Sequence, residues 1–89
     1  MKDEVFLEMM EQAAEKLGIK LGYEDLRKGE VSTQGGLFVL KGEKRILVHK
    51  GLAARERADV LVEIFSALDT EGVHLPPDVR EAIDSAKGA

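Results

Sequence analysis

Gly35-Gly36-Leu37-Phe38-Val39-Leu40-Lys41-Gly42-Glu43-Lys44-Arg45-Ile46-Leu47-Val48-His49-Lys50 is the stretch whose reading decides the fold of this chain. Leu37–Lys41 and Lys44–Lys50 are two runs of β-prone residues, separated by Gly42-Glu43. Glycine at the first central position of a two-residue loop is the signature of a type II′ hairpin. That register sets Val39 opposite Ile46, Leu37 opposite Val48 and Phe38 opposite Leu47. Strand side chains alternate between faces, so Leu37, Val39, Ile46 and Val48 share one face. Phe38, Leu40 and Leu47 share the other, rimmed by Arg45 and His49.

Outward from the hairpin the pattern turns helical on both sides. Residues 3–17 place Phe6, Met9, Met10, Ala13 and Leu17 on one face at helical spacing, widened by Leu7 and Ala14. Glu4, Glu8, Glu11 and Glu15 fall opposite, facing water, and Gly18 is a natural stop. Ile19, Leu21 and Tyr23 alternate with polar or small residues, as in a short strand. Arg27 to Gln34 is polar and reads as a loop. After the hairpin, a helix from about Ala53 to Leu68 carries the stripe Ala54, Leu61, Ile64, Phe65 and Leu68. Gly72 interrupts, Val73-His74-Leu75 is extended, and Pro76-Pro77-Asp78 opens a short helix with Val79, Ala82, Ile83 and Ala86 on its apolar side.

The element order is thus α-β-β-β-α-α. The expected fold class is α+β, with a three-stranded antiparallel sheet and helices packed mainly on one face. Eighty-nine residues are enough for a single domain and one core, residues 1–89, with the small polar stretch 85–89 expected to be flexible.

Composition narrows the chemistry. The chain has no cysteine, which removes disulfides, thiolate nucleophiles and cysteine-containing zinc sites. The N-terminal Met1-Lys2-Asp3-Glu4 passes straight into the amphipathic pattern, with no signal-peptide core. The longest fully apolar run, Leu37–Leu40, is far short of the roughly 20 residues that span a bilayer. A cytoplasmic location with no membrane partner is expected. His49 and His74 are the only histidines, too few and too far apart in sequence for a recognisable metal site; their expected places are the hairpin surface and a loop. Ser32, Ser66 and Ser85 lie in no nucleophile elbow. Thr33-Gln34-Gly35-Gly36 leads into a strand, whereas phosphate-cradling loops lead into a helix. Neither an enzyme nor a cofactor is expected.

Charge is segregated along the chain. Residues 1–18 carry two basic and five acidic side chains, 19–57 nine and five, and 58–89 two and seven. Lys41, Lys44, Arg45, Lys50 and Arg55 crowd the hairpin and the turn after it, a candidate anion-binding set for nucleic acid or an acidic partner. The overall charge of −4 favours the plainer reading, neutralisation by the acidic helices. Arg57 falls within the apolar stripe of its helix, where a guanidinium must snorkel or enter a buried ion pair.

The Gly35-Gly36 hairpin, the Glu56-Arg57 helix start and Pro77-Asp78-Val79-Arg80 together resemble a group of small bacterial α+β proteins of uncharacterised function. The hairpin followed by a helix is also similar to the core of zincin metallopeptidases. The segment matching their metal-binding helix is Val62-Glu63-Ile64-Phe65-Ser66, which lacks both ligand histidines, so that resemblance implies architecture and no peptidase chemistry.

An antiparallel sheet normally keeps one face apolar, yet this hairpin carries apolar side chains on two. Either a helix wraps onto the Phe38, Leu40, Leu47 face, or another chain covers it. The resulting expectation is a protein-interaction module, self-associating as a homodimer through Phe38, Leu40, Leu47, Arg45 and His49. The alternative is an anion- or nucleic-acid-binding domain using the basic hairpin.

Overall fold

The computed structural model describes residues 2–27 and 33–88. Among these residues the elements follow in the order α1 (Asp3–Lys16), β1 (Lys20–Glu24), β2 (Gly35–Leu40), β3 (Glu43–His49), α2 (Ala54–Ser66) and α3 (Pro77–Lys87). The protein is an α+β fold. Most of the loop expected over Arg27 to Gln34 lies outside the described residues, while α3 takes in Ser85, Ala86 and Lys87 of the C-terminal stretch.

The sheet is mixed, which corrects the antiparallel expectation. Its strand order is β1-β3-β2: β3 lies in the middle, antiparallel to β2 and parallel to β1. The segment between Glu24 and Gly35 is long enough to carry the chain past β3, so β1 and β2 end up on opposite sides of it instead of side by side.

The hairpin register also differs from the type II′ expectation. Leu37 pairs with Ile46, Phe38 with Arg45, Val39 with Lys44 and Leu40 with Glu43. Lys41 (φ 52°) and Gly42 (φ 79°) are therefore the two central turn residues, and positive φ at both is the type I′ arrangement, whose twist suits a hairpin. Glycine takes the second central position, and Lys41 bears the cost of a left-handed conformation, about 1–2 kcal/mol. Each strand keeps its side-chain parity, so the two faces contain the expected residues.

The core forms on the Ile46/Val48 face. Ile46 and Val48 are fully buried beneath the helices, together with Met10, Ala13 and Ala14 of α1, Ala58, Leu61 and Phe65 of α2, and Val79 and Ile83 of α3. α1 packs on β1, α2 on β2 and β3, and α3 on α1 and α2. Gly18 ends α1 at φ 74°, the left-handed C-terminal stop that glycine provides at no steric cost. At the start of α2, Glu56 accepts a hydrogen bond from the Ala53 N–H at 3.0 Å, half of a capping box, since alanine offers no side-chain acceptor in return. Gly35 begins β2 at a point of close approach: a Cβ there would lie 2.6 Å from the Leu47 carbonyl oxygen and 3.0 Å from Val60 Cγ1.

Arg80 fastens the turn between α2 and α3. Its guanidinium donates to Thr70 Oγ1 (2.7 Å), Thr70 O (2.9 Å) and Val73 O (2.8 Å). Thr70 is wholly buried, so these bonds satisfy polar atoms that water cannot reach. Charge-assisted hydrogen bonds contribute roughly 1.5–3 kcal/mol each, and unpaired buried acceptors are costly. Arg80→Met, which keeps most of the aliphatic reach, should lower stability in urea denaturation by about 2–4 kcal/mol. A loss below about 0.5 kcal/mol would show that the turn holds without these bonds.

Candidate functional site

The hairpin is where apolar surface remains open. β2 is an edge strand, and among the described residues nothing pairs with its outer side. Leu37 is 37% exposed, Phe38 39%, Val39 63% and Leu40 46%, so four consecutive large apolar residues meet solvent on both faces of one strand. Alternation of the backbone groups tells which are unpaired. The His49 N–H donates to Gln34 O at 2.8 Å, so Gln34, Gly36, Phe38 and Leu40 turn their polar groups toward β3 and Gly35, Leu37 and Val39 turn theirs outward. The Gly35 N–H is met by Thr33 Oγ1 at 3.3 Å.

The sheet face away from the helices carries Phe38 and Leu40 of β2, Glu43, Arg45, Leu47 and His49 of β3, and Lys20, Gly22 and Glu24 of β1. Leu47 is half-buried, flanked by Gly36 on one side and Gly22 on the other. Its Cδ2 lies 3.2 Å from where a Cβ of Gly22 would be, and a Cβ on Gly36 would meet nothing within 4 Å. Neither α1 nor α3 wraps onto this face, since both belong to the helical layer on the other side. Glu43 accepts from Lys20 and Arg45, each at 3.0 Å. These bonds, Lys20's foremost, hold its carboxyl below the ordinary range, although exposed pairs of this kind contribute little to stability.

His49 departs from the expected surface position. It is buried, with Nδ1 accepting from the Leu26 N–H at 3.1 Å and lying 3.8 Å from Asp25 Oδ1. Gly51 closes the other side; a Cβ there would lie 2.7 Å from His49 Nε2. Loop residues cover a side chain that strand parity assigns to the open face, so His49 is not part of the exposed surface. His74 is exposed. Among the described residues, no three His, Asp or Glu side chains converge as a metal site requires.

The basic residues are not gathered in one place. Lys41 and Lys44 sit at the hairpin tip, Lys50 just beyond the opposite end of β3, and Arg55 in the first turn of α2, beside Asp59 (3.2 Å) and Asp3 (3.7 Å). Arg45 lies in the middle of the sheet, engaged with Glu43. Among the described residues, Lys41, Lys44 and Lys50 make no ion pair within 4.0 Å.

Arg57 is half-buried; of the two expected arrangements, snorkelling or an ion pair, it makes no ion pair among the described residues. Nε donates to Leu52 O at 2.9 Å, Nη2 to Lys50 O at 2.5 Å, and the guanidinium carbon stands 4.6 Å from the Tyr23 ring centre, a cation–π contact. The Tyr23 hydroxyl in turn donates to Glu11 on α1. The three side chains join β1 to both long helices, an arrangement suited to holding the helical layer on the sheet. Helical spacing pointed Arg57 inward but carried no signal for Tyr23 as its partner.

No helix among the described residues is long and apolar enough to cross a membrane. Comparison with known proteins found no matching family model, curated protein or solved structure, so the functional reading rests on the geometry of the hairpin.

Tyr23 makes one part of this arrangement measurable. Burial, then the hydrogen bond to Glu11 and its negative charge, raise the phenol well above its ordinary value, outweighing the opposing pull of Arg57. The folded protein therefore keeps this proton at pH values where the unfolded chain, ionising near about 10, has lost it. Its contribution to stability is intact below about pH 10 and is lost as pH rises through the folded value. Tyr23 is the only tyrosine, so tyrosinate absorbance reports it alone. Native protein should titrate well above the same chain in denaturant; coincident curves would contradict the half-buried Glu11–Tyr23–Arg57 contact.

Proposed function

We propose that this chain is a non-catalytic protein-interaction module that works in the cytoplasm and self-associates through its hairpin. The observation that carries this reading is the run Leu37-Phe38-Val39-Leu40, exposed on an edge strand with no cover among the described residues. Edge strands of soluble proteins are usually shielded by charges, prolines, bulges or a covering loop, because an open apolar edge invites pairing with another chain. Here the nearest charged residue of the strand's own sequence is Lys41, at the turn. The position of His49 moves the proposed contact away from the far end of the open face and toward β2.

The second reading, an anion-binding surface, draws support from Lys41, Lys44 and Lys50, which make no ion pair among the described residues. Against it, Lys50 lies at the other end of β3 from Lys41 and Lys44, a strand length of about 20 Å, and the net charge is −4.

Light scattering coupled to size-exclusion chromatography tests the first reading. Wild type should show twice the chain mass at high micromolar concentration. Phe38→Glu should return it to the monomer mass while changing stability by less than about 1 kcal/mol, as for an exposed site. A wild type that stays monomeric throughout removes self-association. A shift of nucleic acid by wild type at low salt, abolished by Lys41→Glu with Lys44→Glu, would favour the anion-binding surface instead.

A further inference from the structure

The geometry points to a specific form of self-association, which rests on the reading above: two copies joined edge to edge by antiparallel β2 strands, about a two-fold axis through Phe38. Backbone groups and side chains on both faces of the strand meet their complements in that register.

Backbone groups come first. Leu37 and Val39 point their N–H and C=O groups outward, whereas the N–H of Gly35 is engaged by Thr33. An axis at Phe38 sets Leu37 of each copy opposite Val39 of the other, and each such pair exchanges both bonds of a hydrogen-bonded antiparallel pair. An axis at Leu37 would instead require Gly35 to surrender its bond to Thr33.

Side chains on the open face fit the same register. The two Phe38 rings face each other as a non-hydrogen-bonded pair, the position in which cross-strand side chains lie closest. Leu40 falls opposite Gly36 of the other copy. Gly36 leaves empty ground beside the half-buried Leu47, and a leucine arriving there continues an apolar row across the interface.

On the helix side, the edge opens into a groove of about 480 Å3 between β2 and α2, lined by Leu37, Val60, Glu63, Ile64 and Ala67 among others. Val39, the most exposed of the four apolar residues, arrives from the other copy beside Leu37 at the mouth of this groove. Lys44, next to Val39 on the neighbouring strand, approaches on the same side as Glu63, and the charges are opposite. The second copy is therefore the occupant that the strand itself specifies. Its surface is self-complementary, as an isologous two-fold contact demands, and the product is a continuous six-stranded sheet with both helical layers on one side.

The absence of cysteine from the sequence allows a clean test. In single-cysteine variants under mild oxidation, Phe38→Cys should give a disulfide-linked dimer, because paired Cα atoms lie about 4.5 Å apart in a non-hydrogen-bonded pair, within disulfide range. Leu40→Cys should not, since its two copies lie four residue steps out of register, about 13 Å. Val39→Pro removes an outward N–H without touching the ladder to β3, which an edge strand tolerates. It should weaken dimerisation at least about tenfold relative to Val39→Ala, with unchanged circular dichroism; one lost cross-strand bond pair is of that order. A dimeric wild type in which Leu40→Cys links as readily as Phe38→Cys, or Val39→Pro dimerises like Val39→Ala, overturns edge pairing and leaves self-association through the open face. A monomeric wild type overturns both. Should Val39→Pro fail to fold, the cysteine pair still decides.

Discussion

Strand β3 has a neighbour on each side, and the rest of the molecule is arranged about that fact. Its inward residues Ile46 and Val48 are the floor on which the helical layer rests, and both are fully buried. Placing β3 in the middle of so small a sheet forces β1 and β2 to be edges. β1 is held by α1 and by the contact of Tyr23 with Glu11 and Arg57. β2 is held on one side by its ladder to β3 and, among the described residues, has no strand on the other. The apolar residues that make Leu37–Leu40 a good strand therefore remain at the surface, and the proposed function follows from that geometric leftover.

The conspicuous polar residues serve mostly as internal fasteners. Arg57 bonds the carbonyls of Lys50 and Leu52, Arg80 closes the turn at Thr70 and Val73, and Arg55 stands beside Asp3 and Asp59. Within the basic centre of the sequence, Arg45, Arg55 and Arg57 are engaged by neighbouring groups, while Lys41, Lys44 and Lys50 make no ion pair among the described residues. His49, enclosed by Leu26, Asp25 and Gly51, belongs with these supports.

Local periodicity made the elements legible: the stripes of α1, α2 and α3 match the buried residues Leu7, Met10, Leu61, Phe65, Val79 and Ile83, and the hairpin faces follow from strict alternation. What escaped was non-local or depended on backbone choice. Nothing in Ile19–Tyr23 says which side of β3 it will join, so the parallel pairing was hidden. The turn shifted because Lys41 accepts a positive φ, which residue preferences would have assigned to glycine first. Loop cover of His49 and the pairing of Arg57 with Tyr23 arise from chain segments far apart in sequence. The exposed apolar strand was visible as a surplus of apolar residues, but only the strand order identifies it as an edge.

Amide hydrogen exchange along β2, followed as protein concentration rises, tests most directly whether this strand is an open edge that closes on another copy. In dilute solution the Phe38 and Leu40 amides, bonded to β3, should be protected while those of Leu37 and Val39 exchange almost freely; at dimer-forming concentrations the latter two should slow as well. Equal protection of all four amides in dilute protein, or fast exchange at Leu37 and Val39 in the dimer, would contradict it.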